Sequence, residues 1–352
     1  MAAVDAGVGI VGGGLAGALL ALALRERGVP VLLLEAADGA CATALSYGVI
    51  PGIPLDVSPL ARRAAGAARV WQALQRRHGD LGWRPRRSLP LPLSQVDTKR
   101  LQERLGPVLA AAGVEQRRAR VLMLEREPSC WQLALQGGER IAPARLVLAA
   151  GAGCLALAAA TADPPAPGAE LPAALGMSWA GVLALPPAAA GMPYPLKLPT
   201  RFERLALEGR SGTLPQPAWV VDAGLVPWGA GGLLGQLSWL APAGAASPGP
   251  PAPQAEGWLR HALAAAPAPL AALAAAGDYR QAPVAFSRNG LPLVGRLSGG
   301  VWLFSGFRGA FAQVPVLAPL LAAALAAPAA EAAAAERELR HLGVWPAAMA
   351  QG

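Results

Sequence analysis

Short, wholly apolar runs separated by longer segments of mixed character open this chain. Val8-Gly9-Ile10-Val11 has no polar position, the pattern of a strand buried on both faces. It ends in Gly12-Gly13-Gly14-Leu15-Ala16-Gly17, after which Leu19, Leu20, Leu22 and Leu24 carry a helix as far as Gly28, where glycine supplies the stop. Val31-Leu32-Leu33-Leu34 is a second buried strand, closed by Glu35. Strand, tight turn, helix and strand make a complete βαβ unit.

Farther along, the pattern changes period. Arg120–Leu124 and Trp131–Leu135 read as short strands separated by Pro128 and followed by Gly137-Gly138, which predicts a β-meander. Arg145–Leu148 is another strand, running into the turn Ala149–Gly153. Trp219–Asp222 and Leu233–Trp239 predict strands of an antiparallel sheet, and the low-complexity stretch Ala243–Ala255 predicts a loop. Near the end come a turn, Arg288–Arg296, a strand, Val301–Phe304, and a second glycine turn, Ser305-Gly306-Phe307-Arg308-Gly309-Ala310-Phe311, with a helix expected to begin close to Pro315. The fold class is α/β.

Composition narrows the picture. With 352 residues, 54% hydrophobic and 15% charged, the chain can bury a large core, in one two-lobed unit or two domains, and is not disordered. The apolar stretch near residues 314–330 contains Pro315, Pro319 and Pro328, so no membrane span is expected there, and the N-terminus lacks the basic leader of a signal peptide; a soluble, cytoplasmic bacterial protein is expected. About half of the 30 Lys and Arg fall between Arg62 and Arg126, including Arg76-Arg77, Arg84, Arg86-Arg87 and Arg117-Arg118-Ala119-Arg120. Aromatic interleaving is almost absent there, so a solvated face is expected rather than a nucleic-acid platform. Cys41, Cys130 and Cys154 are too scattered for a disulfide framework or a metal site, and no metal is expected. His78, His261 and His341 are expected to be structural or on the surface.

The candidate chemistry lies in the glycines. Gly12 permits the tight turn, Gly14 lets backbone amides approach a pyrophosphate, and Gly17 lets the helix pack closely on the strand. The phosphates would sit at the positive end of the helix. Glu35 stands where a carboxylate accepts hydrogen bonds from a ribose diol and repels the additional phosphate of NADP, which favours FAD or NAD. An ordinary glycine-rich turn is the alternative.

Three further segments give the chain a resemblance to the glycine oxidase and D-amino-acid oxidase (DAO) family of FAD-dependent oxidoreductases. Asp38–Gly48 resembles that family's small-residue loop, Arg145–Gly153 its strand and glycine turn, and Arg288–Phe311 its ending, with Asn289 in place of the usual Asp. The resemblance implies a Rossmann-like FAD-binding domain with the meander, formed by 1–75, 100–160 and 283–336, an antiparallel substrate or cap domain of 76–99 and 161–282, and a tail of 337–352. It implies that FAD, held non-covalently, contacts Gly12, Gly14, Leu15, Ala16 and Gly17, then Glu35 and Ala36, and Thr43, Ser46 and Gly48 of the loop. Val121 would face the adenine, Ala150 and Gly151 would close the site, and Gly306, Arg308, Gly309 and Ala310 would face the flavin. The implied activity is oxidation of a C–N bond in a small amine or amino acid, with hydride passing to the flavin and oxygen, or another acceptor, taking the electrons. Arg280 matches the position of the family's carboxylate-binding arginine, and Arg308 is a second candidate for that role. Gly224 falls where the family has a substrate-sheet tyrosine, for which Tyr194 or Trp228 could substitute. A flavin dehydrogenase, a tRNA-modifying flavin enzyme and a non-catalytic flavin-binding protein are the alternative readings.

Overall fold

The computed structural model describes residues 7–36, 41–86, 92–160, 171–187, 194–242 and 248–344. Of the segments singled out above, 38–40, Arg87, 243–247 and 345–352 lie outside the described residues.

Six strands form one sheet in the order Leu293–Arg296, Trp302–Ser305, Arg145–Leu148, β1 (Val8–Val11), β2 (Val31–Glu35) and Glu115–Arg118. All neighbours run parallel except Leu293–Arg296, which is antiparallel to Trp302–Ser305. The absence of polar positions in the central strands follows from burial on both faces. Val31 and Leu33 join a core with helix α1 (Leu15–Arg25) and the Ala310–Ala326 helix, while Leu32 and Leu34 join another with the meander residues Leu124, Trp131 and Leu133. The meander pairs Val121–Arg126 with Trp131–Leu135 and that strand with Arg140–Ile141.

A second sheet is antiparallel, in the order Ala218–Trp228, Gly231–Leu240, Leu175–Leu185 and Asp278–Ser287. One face packs on Leu259 and Leu263 of the Ala252–Ala264 helix and on Leu270, and the other on Ala44, Leu45 and Tyr47 of the segment following β2. A smaller three-stranded sheet of Val49–Pro51, Leu93–Val96 and Trp83–Arg86 lies between them in the chain's connectivity. Its buried Gln95 donates to the carbonyls of Tyr47, 3.1 Å, and Pro227, 2.9 Å, which ties both neighbours together.

Two expectations from sequence need correction. The helix expected near Pro315 begins five residues earlier and runs Ala310–Ala326 with Pro315 and Pro319 inside it. Proline removes the amide that would bond to the carbonyl four residues back, and for Pro315 that carbonyl belongs to Phe311. Here the buried Trp71 indole N–H donates to the Phe311 carbonyl at 2.8 Å, so that acceptor is not orphaned. The stretch expected to be a loop as far as Ala255 turns helical at Ala252, where Pro253 fits the first turn because its missing amide has no partner there in any case.

Gly17 is where the βαβ unit is tightest, because a Cβ there would overlap the Gly12 carbonyl oxygen. Gly28 differs: its φ is +74°, but a Cβ would meet nothing within 4 Å. Gly28→Ala should therefore cost about 1 kcal/mol, the backbone penalty alone. Gly17→Ala should cost about 3 kcal/mol or more by forcing helix from strand. Urea unfolding of the two variants measures the difference, and equal losses would refute this account of the turn.

Candidate active site

The parallel strands of the central sheet deliver their C-terminal ends to one place. Gly12, with φ +109°, turns the chain after β1, donates its amide to the Leu34 carbonyl at 2.8 Å, and has no room for a side chain: a Cβ would stand 2.5 Å from the Ala149 carbonyl oxygen. The amino end of α1 has no side-chain cap from its own Ncap residue, Gly14. Two of the amides there are met from a distance, with Leu15 donating to Thr43 Oγ1 at 3.1 Å and Gly13 to Glu35 Oε2 at 2.5 Å. A backbone that excludes side chains at the amino end of a helix, beside a carboxylate at the tip of the next strand, suits a dinucleotide diphosphate and its ribose.

A cavity of about 1390 Å³ opens over these strand ends. Gly12, Gly14, Leu15 and Ala16 line it, with Glu35 and Ala36. Thr43, Ser46 and Gly48 contribute from the following loop, Val121 from the meander, and Ala150 and Gly151 from the turn after Arg145–Leu148. Gly306, Arg308, Gly309 and Ala310 stand on the wall at the amino end of the Ala310–Ala326 helix. Of the eighteen positions expected to contact FAD or the substrate carboxylate, sixteen line this cavity and two do not. Gly17 lies beneath the turn, as its packing requires.

Arg280 is the other. Of the strand Asp278–Ser287, the residues Gln281, Pro283, Val284 and Ala285 reach the cavity wall. Arg280 instead sets its guanidinium 5.3 Å from the centre of the Trp228 ring, which also receives Lys99 Nζ at 5.0 Å. Trp228 and Tyr194, named as substitutes for a tyrosine at Gly224, also lie off the wall. The space beside Gly224 belongs to Tyr47, since a Cβ at 224 would stand 2.8 Å from the Tyr47 ring. Tyr47 lines the cavity, donates its hydroxyl to the Asp222 carbonyl at 3.4 Å, and has its pKa raised by burial first and by Asp222 second. A phenol therefore reaches the cavity from the loop after β2 rather than from the sheet. Its only trace in the sequence is a bulky residue within a run of small ones.

A charged cluster that sequence reasoning missed stands beside Arg308. The buried Asp222 carboxylate accepts from the amides of Glu203, 2.7 Å, and Arg204, 3.4 Å, capping the short helix Glu203–Gly209. That cap sets Arg204 on the cavity wall, where its Nη2 donates to the Arg308 carbonyl at 2.8 Å. Glu208, one turn later and 1% exposed, stands 3.0 Å from Arg308 Nε and 3.5 Å from Arg204 Nη1. Burial pushes its carboxyl upward, against the pull of the two guanidinium groups. The cluster joins residues about a hundred positions apart, with no local motif to announce it.

Residues 7–324 match the sequence family described as DAO, FAD dependent oxidoreductase. This chain belongs to that family. The DAO fold is also found in solved structures at low identity. Glycine oxidase from Geobacillus kaustophilus aligns over 91% of this chain and 94% of its own, with a TM-score of 0.62 and 17% identity. Iminodiacetate oxidase from a Chelativorans species covers 90% and 94%, with a TM-score of 0.61 and 15% identity. L-proline dehydrogenase from P. horikoshii covers 90% and 92%, with a TM-score of 0.59 and 14% identity. No curated protein matches the chain at a significant level.

The DAO protein is an oxidoreductase whose cofactor is FAD, and the cavity fits that group. One wall carries the side-chain-free cradle of Gly12 and Gly14 beside Glu35, and the same cavity extends to the amino end of the Ala310–Ala326 helix, whose positive pole favours negative charge on a bound ring. His78, His261 and His341 are off its wall. Among the described residues, no group of three His, Cys, Asp or Glu is placed to hold a metal, and no helix is long and apolar enough to cross a membrane. Much of the basic run is neutralised by ion pairs, including Arg77 with Glu26, Arg84 with Asp80 at 2.8 Å, and Arg117 with Glu115 and Glu139, both at 2.8 Å.

The three thiols should separate by reactivity. Cys41 lines the cavity, whereas burial pushes the Cys154 thiol up to about 11 and raises that of Cys130. Thiolate is the reactive form, so a thiol reagent near pH 8 should modify Cys41 of FAD-free protein first, and added FAD should slow that reaction. Peptide mapping checks both outcomes, and prompt labelling of Cys154 in folded protein would contradict the packing described.

Proposed function

We propose that this protein oxidises the C–N bond of an amino acid whose carboxylate is held by Arg308. The position of Arg308 carries the reading. It stands on the cavity wall at the amino end of the Ala310–Ala326 helix, and its Nη2 is a buried donor with no hydrogen-bond partner among the described residues. A guanidinium offers the planar, two-pronged geometry that a carboxylate accepts. The names of the similar structures, two amino-acid oxidases and an amino-acid dehydrogenase, support an amine or amino acid as substrate. On this reading residues 1–75, 100–160 and 283–336 hold the cofactor, and 76–99 with 161–282 enclose the substrate.

Bound FAD supplies the two-electron acceptor that side chains cannot provide. The chain's own residues hold and orient. Glu35 accepts the ribose hydroxyls, and the backbone from Gly12 to Ala16 receives the diphosphate. Arg308 fixes the substrate carboxylate, so that the carbon bearing the amine is presented in one orientation. Phe304, Phe307 and Phe311 on the same wall displace water and strengthen that charge contact. The oxidised product is an imine, which water hydrolyses to a keto acid and ammonia. Oxygen as the final acceptor would yield hydrogen peroxide.

Purified protein should be yellow and should bleach when an amino acid is added without air. Re-aeration should release peroxide if oxygen is the acceptor, and a quinone or dye should be needed if it is not. Arg308→Ala should lower kcat/KM by about 100-fold, the scale of a lost charge-assisted contact of roughly 3 kcal/mol, while Arg280→Ala should stay within about 3-fold of the parent. The reverse order would return the clamp to Arg280, and a colourless protein that takes up no FAD would end the reading altogether.

A separate expectation concerns the adenosine end. Glu35→Ala should weaken FAD binding by about tenfold, the scale of one or two lost hydrogen bonds to a charged acceptor. Titration of the FAD-free protein, followed by flavin fluorescence, measures the change, and unaltered affinity would show that the carboxylate serves only the Gly13 amide.

A further inference from the structure

We infer that this protein carries a second binding site, for a small phosphomonoester dianion, at the opposite end of the central sheet from the cofactor cavity. Arg126, Arg145 and Arg296 build it with Trp131, Trp302 and Glu336. The site does not depend on the proposed reaction.

Strand register brings these residues together. A cavity of about 370 Å³ lies where the strands Arg145–Leu148 and Trp302–Ser305 begin, whereas the far ends of both strands reach the cofactor cavity through Ala149 and Ser305. At about 3.3 Å per residue, the strand Trp302–Ser305 keeps the two cavities roughly 10 Å apart. Arg296 pairs directly across from Trp302, and Arg126 directly across from Trp131, so each of these arginines shares a sheet face with an indole. The Arg126 guanidinium carbon stands 5.3 Å from the centre of the Trp131 ring. Both indoles are buried, and they give the cavity an apolar lining beside three exposed arginines. Gly300, with φ +88°, keeps room for Arg296, because a Cβ there would stand 3.2 Å from its Nη2.

Charge is the second argument. Three guanidinium groups meet one carboxylate on this wall, and that carboxylate, Glu336, already accepts from Arg340 at 3.3 Å. None of the three arginines has an ion pair among the described residues, in contrast to Arg77, Arg84 and Arg117. Arg145 donates to the Leu325 carbonyl and so answers the negative pole at the end of the Ala310–Ala326 helix. Like charges gathered without a counter-charge repel one another, and an anion that bridges them relieves the repulsion. A phosphomonoester carries nearly two negative charges near neutral pH, and its oxygens match the paired N–H groups of a guanidinium. The cavity has the size of a small organic ligand's site and exceeds what an inorganic ion fills, so the phosphate carries an ester group that lies against the apolar lining.

Calorimetric titration of the FAD-loaded protein, at pH 8 and low salt, tests the site while the cofactor cavity is filled. Phenyl phosphate should bind with one-to-one stoichiometry. Phenyl sulfate, a monoanion of the same shape, should bind at least about tenfold more weakly, and so should inorganic phosphate, which lacks the ring. The flavin absorption band should not move, since the ligand is remote from the ring. Arg126→Gln and Arg296→Gln, both at exposed positions, should each weaken phenyl phosphate binding by about tenfold, the scale of a lost charge-assisted hydrogen bond. Glu336→Gln should tighten it by about threefold by removing the opposing charge, a gain that loss of folding would not produce.

No binding of phenyl phosphate, or equal binding of phenyl sulfate or inorganic phosphate, would overturn the inference. Arginine variants that bind phenyl phosphate as tightly as the parent, or a Glu336→Gln variant that binds it no more tightly, would do the same. A shifted flavin band would place the phosphate in the cofactor cavity and remove the second site.

Discussion

The close approach of α1 to β1 is the constraint on which the rest of the structure depends. Helix and strand meet with the Gly12 carbonyl against the α-carbon of Gly17, and Gly12 itself is wedged against the backbone at Ala149 and Ala150. Backbone at three points, on three segments, therefore approaches more closely than any side chain would permit. That proximity sets the amino end of α1 over the sheet's C-terminal edge, which gives the cavity floor the positive potential of a helix amino terminus. Loss of the contact would move the helix, and with it the partners that reach it from outside, Thr43 and Glu35.

From that floor the cavity is completed by two elements far along the chain. The Ala310–Ala326 helix supplies a second amino terminus, and within it Trp71 takes up the Phe311 carbonyl that Pro315 leaves without a partner. The antiparallel sheet supplies the roof, joined to the lower layer through Tyr47, Gln95 and the stacked cations on Trp228. These joints are specific and largely buried. They fix which side chains of the sheet face the cavity and which face away.

That orientation is where sequence and structure part. The glycine turn and Glu35 were legible because each follows from a local rule, glycine where backbone must come close and an acid at a strand tip, while the small-residue loop was read through the family resemblance. All concern adjacent elements of one βαβ unit. The reading of Arg280 came from the family resemblance, and where its guanidinium lies depends on contacts across the sheet. Gln281, Pro283, Val284 and Ala285 reach the cavity while the Arg280 guanidinium lies over the Trp228 ring. The phenol at Gly224 was sought on the same sheet and is supplied from a different layer by Tyr47, whose ring occupies the volume that the glycine leaves open.

The amino-acid sequence by itself determined the α/β class, the dinucleotide cradle and the order of the elements that enclose it, because periodicity and glycine chemistry are short-range properties. Tertiary structure alone decided the charged cluster beside Arg308. Arg204, Glu208, Asp222 and Arg308 are unremarkable in the chain, and only the capping of a seven-residue helix by Asp222 brings a buried carboxylate between two arginines. Ion pairs depend on distance and burial, and neither is written in local sequence for residues a hundred positions apart.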